Sequence, residues 1–298
     1  MAFPTSVEIV DVCPRDGLQN EKGLVPVQVK IELINQLADA GLRVIEVGSF
    51  VSPKWVPQLA DSREVLAGIH RHPGVRYPVL VPNLKGFDLA IAAGAREVSV
   101  FTTPSEQFSQ KNTNCSVADS IRRLSEVVTV AKAANIRVRG YLSCVLGCPY
   151  EGEIAVEKVA DLAKTIYEMG CDELSLGDTI GVGTPLKTKQ MLEAVSAYVP
   201  IEKLAVHFHD TYGQALVNIY AALEMGVAII DSSVAGIGGC PYAKGATGNV
   251  ATEDVVYLLD GLGIKTGIDM KKLIATGRYI AKQLGHEPFS RVNRAYAD

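Results

Sequence analysis

Two histidines lie two positions apart in the apolar segment LAVHFHDTYGQ (204–214), and the chain of 298 residues has only 5 histidines. The apolar residues around His207 and His209 predict a β-strand. Side chains alternate between the two faces of a strand, so both imidazoles point one way while Val206 and Phe208 point the other. Two such imidazoles are suitable nitrogen ligands for a metal ion. Two core histidines bonded to backbone groups are the alternative.

Oxygen ligands are available at the ends of other predicted strands. The turn CPRDGLQNE (13–21) offers Asp16 beside Arg15, either as a loop ion pair or as a ligating carboxylate beside a guanidinium that stabilises an oxyanion. Asn249 is either a turn residue or an amide-oxygen ligand. One Asp, two His and one Asn form a mixed oxygen and nitrogen set. This set predicts Mg²⁺ or Mn²⁺ rather than tetrahedral structural zinc.

Three more residues are candidates for catalysis, and a fourth polar residue beside them is expected to have a structural role. Glu46 lies on a predicted strand, where an inward carboxylate is costly unless it is paired or bound to metal. Asp178 ends another strand, where helix capping competes with a role in the site. Cys240 lies in a glycine-rich loop that we expect to be mobile, and it is either a small buried hydrophobe or a reactive thiol. Asp210 is expected to cap the following helix.

The elements that must position these residues follow a regular rhythm. Eight β-branched runs predict strands, at 7–12, 43–48, 77–82, 97–102, 136–142, 172–177, 204–209 and 227–233. Amphipathic segments lie between them, among them 27–41, 116–135, 153–170 and 213–226. This alternation favours an α/β fold, a (β/α)8 TIM barrel. A doubly wound sheet would need a G-x-G-x-x-G turn after its first strand, and this chain has CPRDGLQNE there.

The barrel makes a claim about location, because active sites in this fold gather where the strands end and the βα loops begin. The candidates above lie on predicted strands, at their ends, or in the segment that follows the last strand. No linker or break in composition divides the chain, so we expect a single catalytic domain over 1–298 with a helical C-terminal extension from about 264.

Composition and charge exclude several classes of protein. Hydrophobic residues make up 48% of the chain and charged residues 21%, which is typical of a globular protein. The net charge is −4 and basic residues are scattered, which argues against nucleic acid as a partner. No run is long enough to span a membrane, and the N-terminus lacks the pattern of an export or transit signal. We therefore expect a cytoplasmic protein whose 6 cysteines are free thiols.

Several long motifs resemble those of the 3-hydroxy-3-methylglutaryl-CoA lyase family. They include PRDGLQNE (14–21), SFVSPKWVPQ (49–58), RGYLSCVLGCPYEG (139–152), SLGDTIGVGTP (175–185) and VHFHDTYGQAL (206–216). The resemblance continues through the glycine-rich segment 231–259 and covers nearly the whole chain. It implies a metal-dependent TIM-barrel lyase that splits (S)-3-hydroxy-3-methylglutaryl-CoA into acetyl-CoA and acetoacetate. Leucine degradation is an associated pathway, although the sequence does not choose between it and another acyl-CoA route.

The family motifs place roles on particular residues of this sequence. The resemblance implies that the divalent ion is held by four residues: Asp16, His207, His209 and Asn249. It also matches the motif arginine to Arg15, the loop cysteine to Cys240 and the strand glutamate to Glu46.

Two residues of the chain depart from the family pattern. Asp11 stands where many relatives have glutamate, and Cys13 stands where glycine is usual. We expect these neighbours of the site to shift its polarity.

The chemistry that the resemblance implies is a retro-Claisen cleavage. Arg15 is expected to stabilise the acetyl-CoA enolate and Cys240 to protonate it. The base that takes the hydroxyl proton is open among a histidine ligand, Asp178 and a water held by Glu46.

Two other functions remain as alternatives. One is a condensing enzyme that joins acetyl-CoA to a 2-oxo acid, and the other is a barrel without catalysis. We also expect the protein to form a homo-oligomer, most simply a dimer. Its expected ligand is a small acyl-CoA substrate.

Overall fold

Nine strand segments and eleven α-helices occur in the residues that the computed structural model describes, which are 3–239 and 248–296. The strands are β1 (Glu8–Asp11), β2 (Val44–Ile45), β3 (Gly48–Ser49), β4 (Val79–Leu80), β5 (Glu97–Thr102), β6 (Arg137–Leu142), β7 (Glu173–Asp178), β8 (Leu204–Phe208) and β9 (Ile229–Ser232). The helices are α1 (Val27–Asp39), α2 (Ser62–Gly68), α3 (Leu84–Ala92), α4 (Glu106–Thr113), α5 (Val117–Ala133), α6 (Val156–Glu168), α7 (Pro185–Ser196), α8 (Ala215–Glu224), α9 (Thr252–Gly261), α10 (Met270–Leu284) and α11 (Arg291–Ala295).

The strands form one parallel sheet in the order β2-β1-β9-β8-β7-β6-β5-β4-β3. Its two outermost segments are β2, which lies within the predicted strand 43–48, and β3, which begins at the last residue of that strand. Segment β2 pairs with β1, and β3 pairs with β4. Around the break, the Glu46 N–H donates to the Asp11 carbonyl at 2.9 Å and the Val47 N–H to the Pro78 carbonyl at 3.0 Å. The sheet therefore closes on itself, and the predicted TIM barrel is confirmed.

The helices cover the outside of this barrel. Val206 and Phe208, predicted to point away from the histidines, are buried in the core between strands and helices. The predicted helical extension consists of α10 and α11. Helix α10 is capped by Asp269, whose carboxylate accepts the N–H groups of Lys271 and Lys272. It buries one apolar face and packs against α1. Within the described part of the chain, every helix is too short or too polar to cross a membrane.

The inside of the barrel is lined by charged residues on several strands. The inward faces of β6 and β7 carry Arg137, Arg139 and Tyr141 beside Glu173 and Ser175. A parallel strand buried on both faces normally consists of apolar residues, so each inward charge needs a partner. The sheet provides these partners, and it places the polar side chains of neighbouring strands at the same height.

Candidate active site

The first part of the site follows β1. Cys13–Gly17 forms a single π-helical turn, with Pro14 in its first positions. Such turns are rare and occur frequently at functional sites. This turn brings Arg15 and Asp16 to the mouth of the barrel, at the carboxyl ends of the strands.

The two histidines of β8 face Asp16. Their Nε2 atoms lie 3.3 Å apart, and Asp16 Oδ2 is 3.9 Å from Nε2 of His207 and 4.0 Å from Nε2 of His209. The three residues each offer one ligand atom, and these atoms all lie within 4.8 Å of one another. The structure places these three residues together, and their role as metal ligands stays a prediction.

Asn249 joins the same cluster from the other side of the loop after β9. It forms an antiparallel bridge with His209, and its Nδ2 donates to Asp16 Oδ2 at 2.8 Å. Gly238 has a positive φ of 116°, and a Cβ there would lie 2.7 Å from Asn249 Nδ2 and 3.1 Å from the Cα of Gly17. Glycine is therefore needed at this position for the backbone segments to approach so closely.

The donor set fits a divalent cation. Burial, followed by the charge of His207, lowers the pKa of His209 to about 4, so its imidazole is neutral at pH 7 and has a free lone pair. Burial alone would raise the pKa of Asp16, but the charges of Arg15 and both histidines outweigh it and hold that pKa well below its usual range. An anionic carboxylate and two imidazole nitrogens converge on one point, and the amide of Asn249 can present its oxygen there.

Arg15 lies between two carboxylates. Its Nε donates to Glu46 Oε2 and one terminal nitrogen donates to Asp16 Oδ1, both at 2.6 Å. Among the described residues, the second terminal nitrogen has no hydrogen-bond partner, and neither has Glu46 Oε1, which is fully buried. Burial by itself would lower the pKa of Arg15, but the charges of Glu46 and Asp16 raise it by more than burial lowers it. The guanidinium is therefore permanently charged.

Asp178 does not join the cluster. Its two oxygens accept the backbone N–H groups of Val182 at 3.1 Å and Gly183 at 2.7 Å, so the carboxylate organises the loop before α7. Burial raises its pKa to about 6, although these hydrogen bonds partly oppose the shift. A catalytic role for Asp178 remains a prediction.

The structure adds residues that the sequence analysis missed. Asp231, at the end of β9, accepts a hydrogen bond from His207 Nδ1 at 3.3 Å and is paired with Arg139. The ring of Tyr141 lies 5.4 Å from the guanidinium carbon of Arg15 and 4.9 Å from that of Arg139. A signal was present, because Arg139 and Asp231 are charged residues inside predicted strands whose other residues are mostly apolar, as Glu46 is.

The two departures from the family pattern lie behind the cluster. Asp11 is fully buried and accepts hydrogen bonds from the Cys13 and Val234 N–H groups and from the Thr252 hydroxyl. Burial raises its pKa to about 7, against the effect of these bonds. Burial also raises the pKa of the Cys13 thiol well above its usual value. The described contacts of Asp11 link β1 to the start of α9 and include none of the metal-site candidates.

Two remaining predictions concern the loops. The Asp210 carboxylate accepts the N–H of Ala215, the first residue of α8, at 3.0 Å, although the N-cap position of that helix is Gln214 and not Asp210. Cys240 lies outside the described residues, so its predicted part in the site is untested.

Comparison with known proteins identifies the family. The model of the HMGL-like family matches residues 6–280. The chain belongs to the HMGL-like family. Among its relatives, the mitochondrial hydroxymethylglutaryl-CoA lyase of Gallus gallus is 61% identical over 294 residues, which cover 99% of each chain. HMGL-like relatives include proteins named mitochondrial and a protein named cytoplasmic.

Solved structures agree with this assignment to the HMGL-like family. The hydroxymethylglutaryl-CoA lyase of Pseudomonas aeruginosa superimposes with a TM-score of 0.97 at 58% identity, over 99% of this chain and 98% of that one. An HMG-CoA lyase of Acinetobacter baumannii, solved in complex with coenzyme A and 3-methylmalate, gives a TM-score of 0.94 at 38% identity, over 100% and 97% of the two chains. The predicted family and fold are confirmed.

Proposed function

We propose that the protein is a divalent-metal-dependent lyase that cleaves (S)-3-hydroxy-3-methylglutaryl-CoA to acetyl-CoA and acetoacetate. The observation that carries this proposal is the convergence of Asp16, His207 and His209 at the barrel mouth, with their ligand atoms within 4.8 Å of one another, in a chain 61% identical to a hydroxymethylglutaryl-CoA lyase. The permanently charged Arg15 lies directly beside this cluster.

The residues that would hold the ion are Asp16, His207, His209 and Asn249. Mg²⁺ and Mn²⁺ both accept such an oxygen and nitrogen set and leave positions for substrate oxygens. When bound, the ion lowers the pKa of a coordinated hydroxyl, here the one on C3, so that a base can remove its proton.

Arg15 is the group that would stabilise the thioester oxygen as negative charge develops on it. Two of its nitrogens are held by Glu46 and Asp16, which fixes the plane of the guanidinium. The second terminal nitrogen, without a partner among the described residues, can therefore donate to the substrate without first breaking a contact. A donor held in place before the reaction costs no reorganisation during it.

The proton from the C3 hydroxyl needs an acceptor, and Glu46 fits this role better than Asp178. Glu46 Oε1 is buried without a partner in the described part of the chain, while Oε2 holds Arg15. Both oxygens of Asp178 already accept backbone N–H groups, so protonation there would release a loop contact. We assign the proton to Glu46 Oε1, either directly or through a water molecule.

Cys240 is proposed as the acid that returns a proton to the acetyl carbon after cleavage. This role is based on the family resemblance alone, since the residue lies outside the described part of the chain. Replacing Cys240 with serine should reduce turnover; activity close to that of the wild type would mean that another group supplies the proton.

The test of the function is an assay of acetoacetate release from 3-hydroxy-3-methylglutaryl-CoA. We expect release with Mg²⁺ or Mn²⁺, no release after treatment with a chelator, and recovery when either ion is added back. Comparing the two ions at equal concentration shows which one supports faster turnover. Absence of product with both ions would reject the proposed activity.

The same protein should be incubated with acetyl-CoA and a panel of 2-oxo acids. No condensed product is expected. Release of free coenzyme A in that incubation would favour the condensing alternative, which shares the metal site.

We also propose a cytoplasmic homodimer. Light scattering on the purified protein tests the dimer, and fractionation of the source cells tests the compartment.

A further inference from the structure

The second ring nitrogen of His207, Nδ1, contacts a carboxylate inside the barrel. It lies 3.3 Å from Asp231 Oδ2, and the two residues are register partners on β8 and β9. An ionised carboxylate only accepts hydrogen bonds, so the imidazole must donate to it. The proton of the neutral ring is then on Nδ1, and the lone pair is on Nε2, the atom that faces Asp16 and His209.

Asp231 is held firmly in its position. Its Oδ1 accepts from one terminal nitrogen of Arg139 at 2.6 Å, while its Oδ2 accepts from the other at 3.0 Å and from Ser175 Oγ at 2.8 Å. Both terminal nitrogens of Arg139 therefore pair with this carboxylate, which stays a charged acceptor and cannot turn away from His207.

His209 lacks this support. Its Nδ1 is buried and has no hydrogen-bond partner among the described residues. The two imidazoles, whose Nε2 atoms lie 3.3 Å apart, therefore differ in how their protons are fixed. Only the tautomer of His207 is set by its surroundings before any ion arrives.

We propose that Asp231 is a positioning residue of the metal site: it keeps the proton of His207 on Nδ1 and thereby holds the Nε2 lone pair ready for the ion. This inference rests on the proposed metal-dependent function. Carboxylates that orient a ligating histidine in this way typically change metal affinity about 10–100-fold when they are replaced.

The test is the nearly isosteric substitution Asp231→Asn. Both terminal nitrogens of Arg139 only donate, so the amide oxygen of Asn must stay on the closer one, at the position of Oδ1. The amide NH₂ would then face His207 Nδ1, which would have to accept, and the proton would move to Nε2. A similar amide substitution beside a catalytic histidine produces the wrong tautomer in a serine protease.

Two readouts are measured, the affinity of the metal-free protein for Mn²⁺ and the ¹⁵N shifts of its histidine rings. Spectra of a chain with 5 histidines can be assigned by single replacements. For Asp231→Asn we expect Mn²⁺ binding to weaken about 10–100-fold, with the His207 proton on Nε2. The matched control is Ser175→Ala, which removes another hydrogen bond from the same carboxylate but leaves the contact with His207. Its Mn²⁺ affinity should stay close to that of the wild type.

Several outcomes would overturn the assignment of Asp231. One is equal Mn²⁺ affinity in Asp231→Asn and Ser175→Ala. Another is a wild-type His207 with its proton on Nε2, which can be read even if the Asn variant does not fold. If the wild type binds no Mn²⁺, the proposed function itself fails and this inference with it. If the wild type binds Mn²⁺ and the Asn variant binds it equally well, only the role of Asp231 fails.

Discussion

The two ends of the barrel interior both carry charged side chains, and they use them differently. From the amino ends of the strands towards the middle of the barrel, each acidic group contacts an arginine; this amino-end series runs Glu8, Arg76, Glu97, Arg137, Glu173, Arg139 and Asp231. At the carboxyl ends, the described residues include four acceptor groups, those of Asp16, Glu46, His207 and His209, and one guanidinium, that of Arg15, which contacts both carboxylates.

The difference shows in the polar atoms that are left without partners. Glu46 Oε1 and His209 Nδ1 are buried at the carboxyl end and have no hydrogen-bond partner in the described residues, whereas every charged group of the amino-end series has one. The hydroxyl of Ser99, the register partner of Arg139, is an uncharged exception. A buried polar atom without a partner costs about 1–3 kcal/mol, so a stable fold does not retain it without a reason. We infer that the amino end stabilises the barrel and that the carboxyl end is arranged for a ligand.

The strongest way to break this comparison is to remove Arg139, which connects the two ends. Arg139→Leu leaves Glu173 and Asp231 buried without their main cation, and loss of one partner of a buried pair costs about 3–5 kcal/mol. The free energy of unfolding in urea measures this loss. The control is Arg137→Leu, on the same inward face but with a side chain 36% exposed, compared with 1% for Arg139. Arg137 is partly solvated, although its partners Glu97 and Glu173 are buried, so we expect a smaller loss there. An equal loss in both variants would contradict the argument.

The second prediction concerns Arg15 at the carboxyl end. Arg15→Gln removes a donor to the developing oxyanion, so kcat should fall about 10²–10³-fold, or about 2.7–4 kcal/mol of transition-state stabilisation. Steady-state kinetics on the Mn²⁺ enzyme measure the fall, and a Mn²⁺ titration checks that the metal affinity is largely retained. Arg137→Gln at the amino end should lower stability slightly and leave kcat unchanged. A kcat within a few-fold of the wild type for Arg15→Gln would remove Arg15 from its proposed role.

The third prediction separates ligands from other histidines. His209→Ala removes a proposed ligand, so Mn²⁺ affinity should fall by more than the 10–100-fold that is typical of residues behind the ligands, which is a loss of about 2.7 kcal/mol or more. Equilibrium dialysis with Mn²⁺ gives the affinity. His70→Ala, on an exposed loop, serves as the control and should bind Mn²⁺ like the wild type. Unchanged binding in His209→Ala would contradict ligation.

The sequence alone was sufficient to predict which residues cluster at the carboxyl ends of the strands. Strand alternation makes His207 and His209 co-facial, and a parallel barrel brings all strand ends to one rim, where Asp16 and Asn249 also lie. Both rules act locally or through the fold class, so they need no knowledge of register.

The amino-end series and the role of Asp231 could not be predicted in the same way. A charged residue in a mostly apolar strand, such as Arg139, indicates a buried charge or an error in the strand assignment, and only the register decides which. The pairing of β8 with β9 brings His207 beside Asp231, 24 residues later in the chain. The break between β2 and β3 also depends on barrel closure, which no local pattern encodes.

The fourth prediction uses a buried carboxyl group that has no cationic partner among the described residues. Glu253 in α9 accepts hydrogen bonds from the Ala235 N–H and the Asn293 amide, and burial raises its pKa to about 8. The folded state therefore holds a proton that the unfolded state releases near pH 4.5. This contribution to stability is complete below pH 4.5 and is lost as the pH rises through about 8.

The free energy of unfolding should therefore decrease between pH 7 and 9, with a slope of at most about 1.4 kcal/mol per pH unit for one proton. Glu253→Gln cannot titrate and should flatten that slope, whatever its effect on absolute stability. Urea unfolding at several pH values gives both quantities. Glu202→Gln, at an exposed site, is the control and should keep the wild-type slope. An unchanged slope in Glu253→Gln would show that this carboxyl group is already ionised at pH 7.

The smallest expected effect tests the boundary of the site within the segment VHFHD. Asp210 adjoins His209, but its carboxylate accepts the N–H of Ala215 and so satisfies a free N–H group at the start of α8 from outside the helix. Asp210→Ala should lower the free energy of unfolding by about 0.5–2 kcal/mol, as the loss of a cap does, and should leave Mn²⁺ affinity unchanged. Asp210→Asn keeps an acceptor oxygen and should recover most of the stability. If Asp210→Ala weakened Mn²⁺ binding as much as His209→Ala, the carboxylate would belong to the metal site, and the division between cap and ligands drawn from the contacts would be wrong.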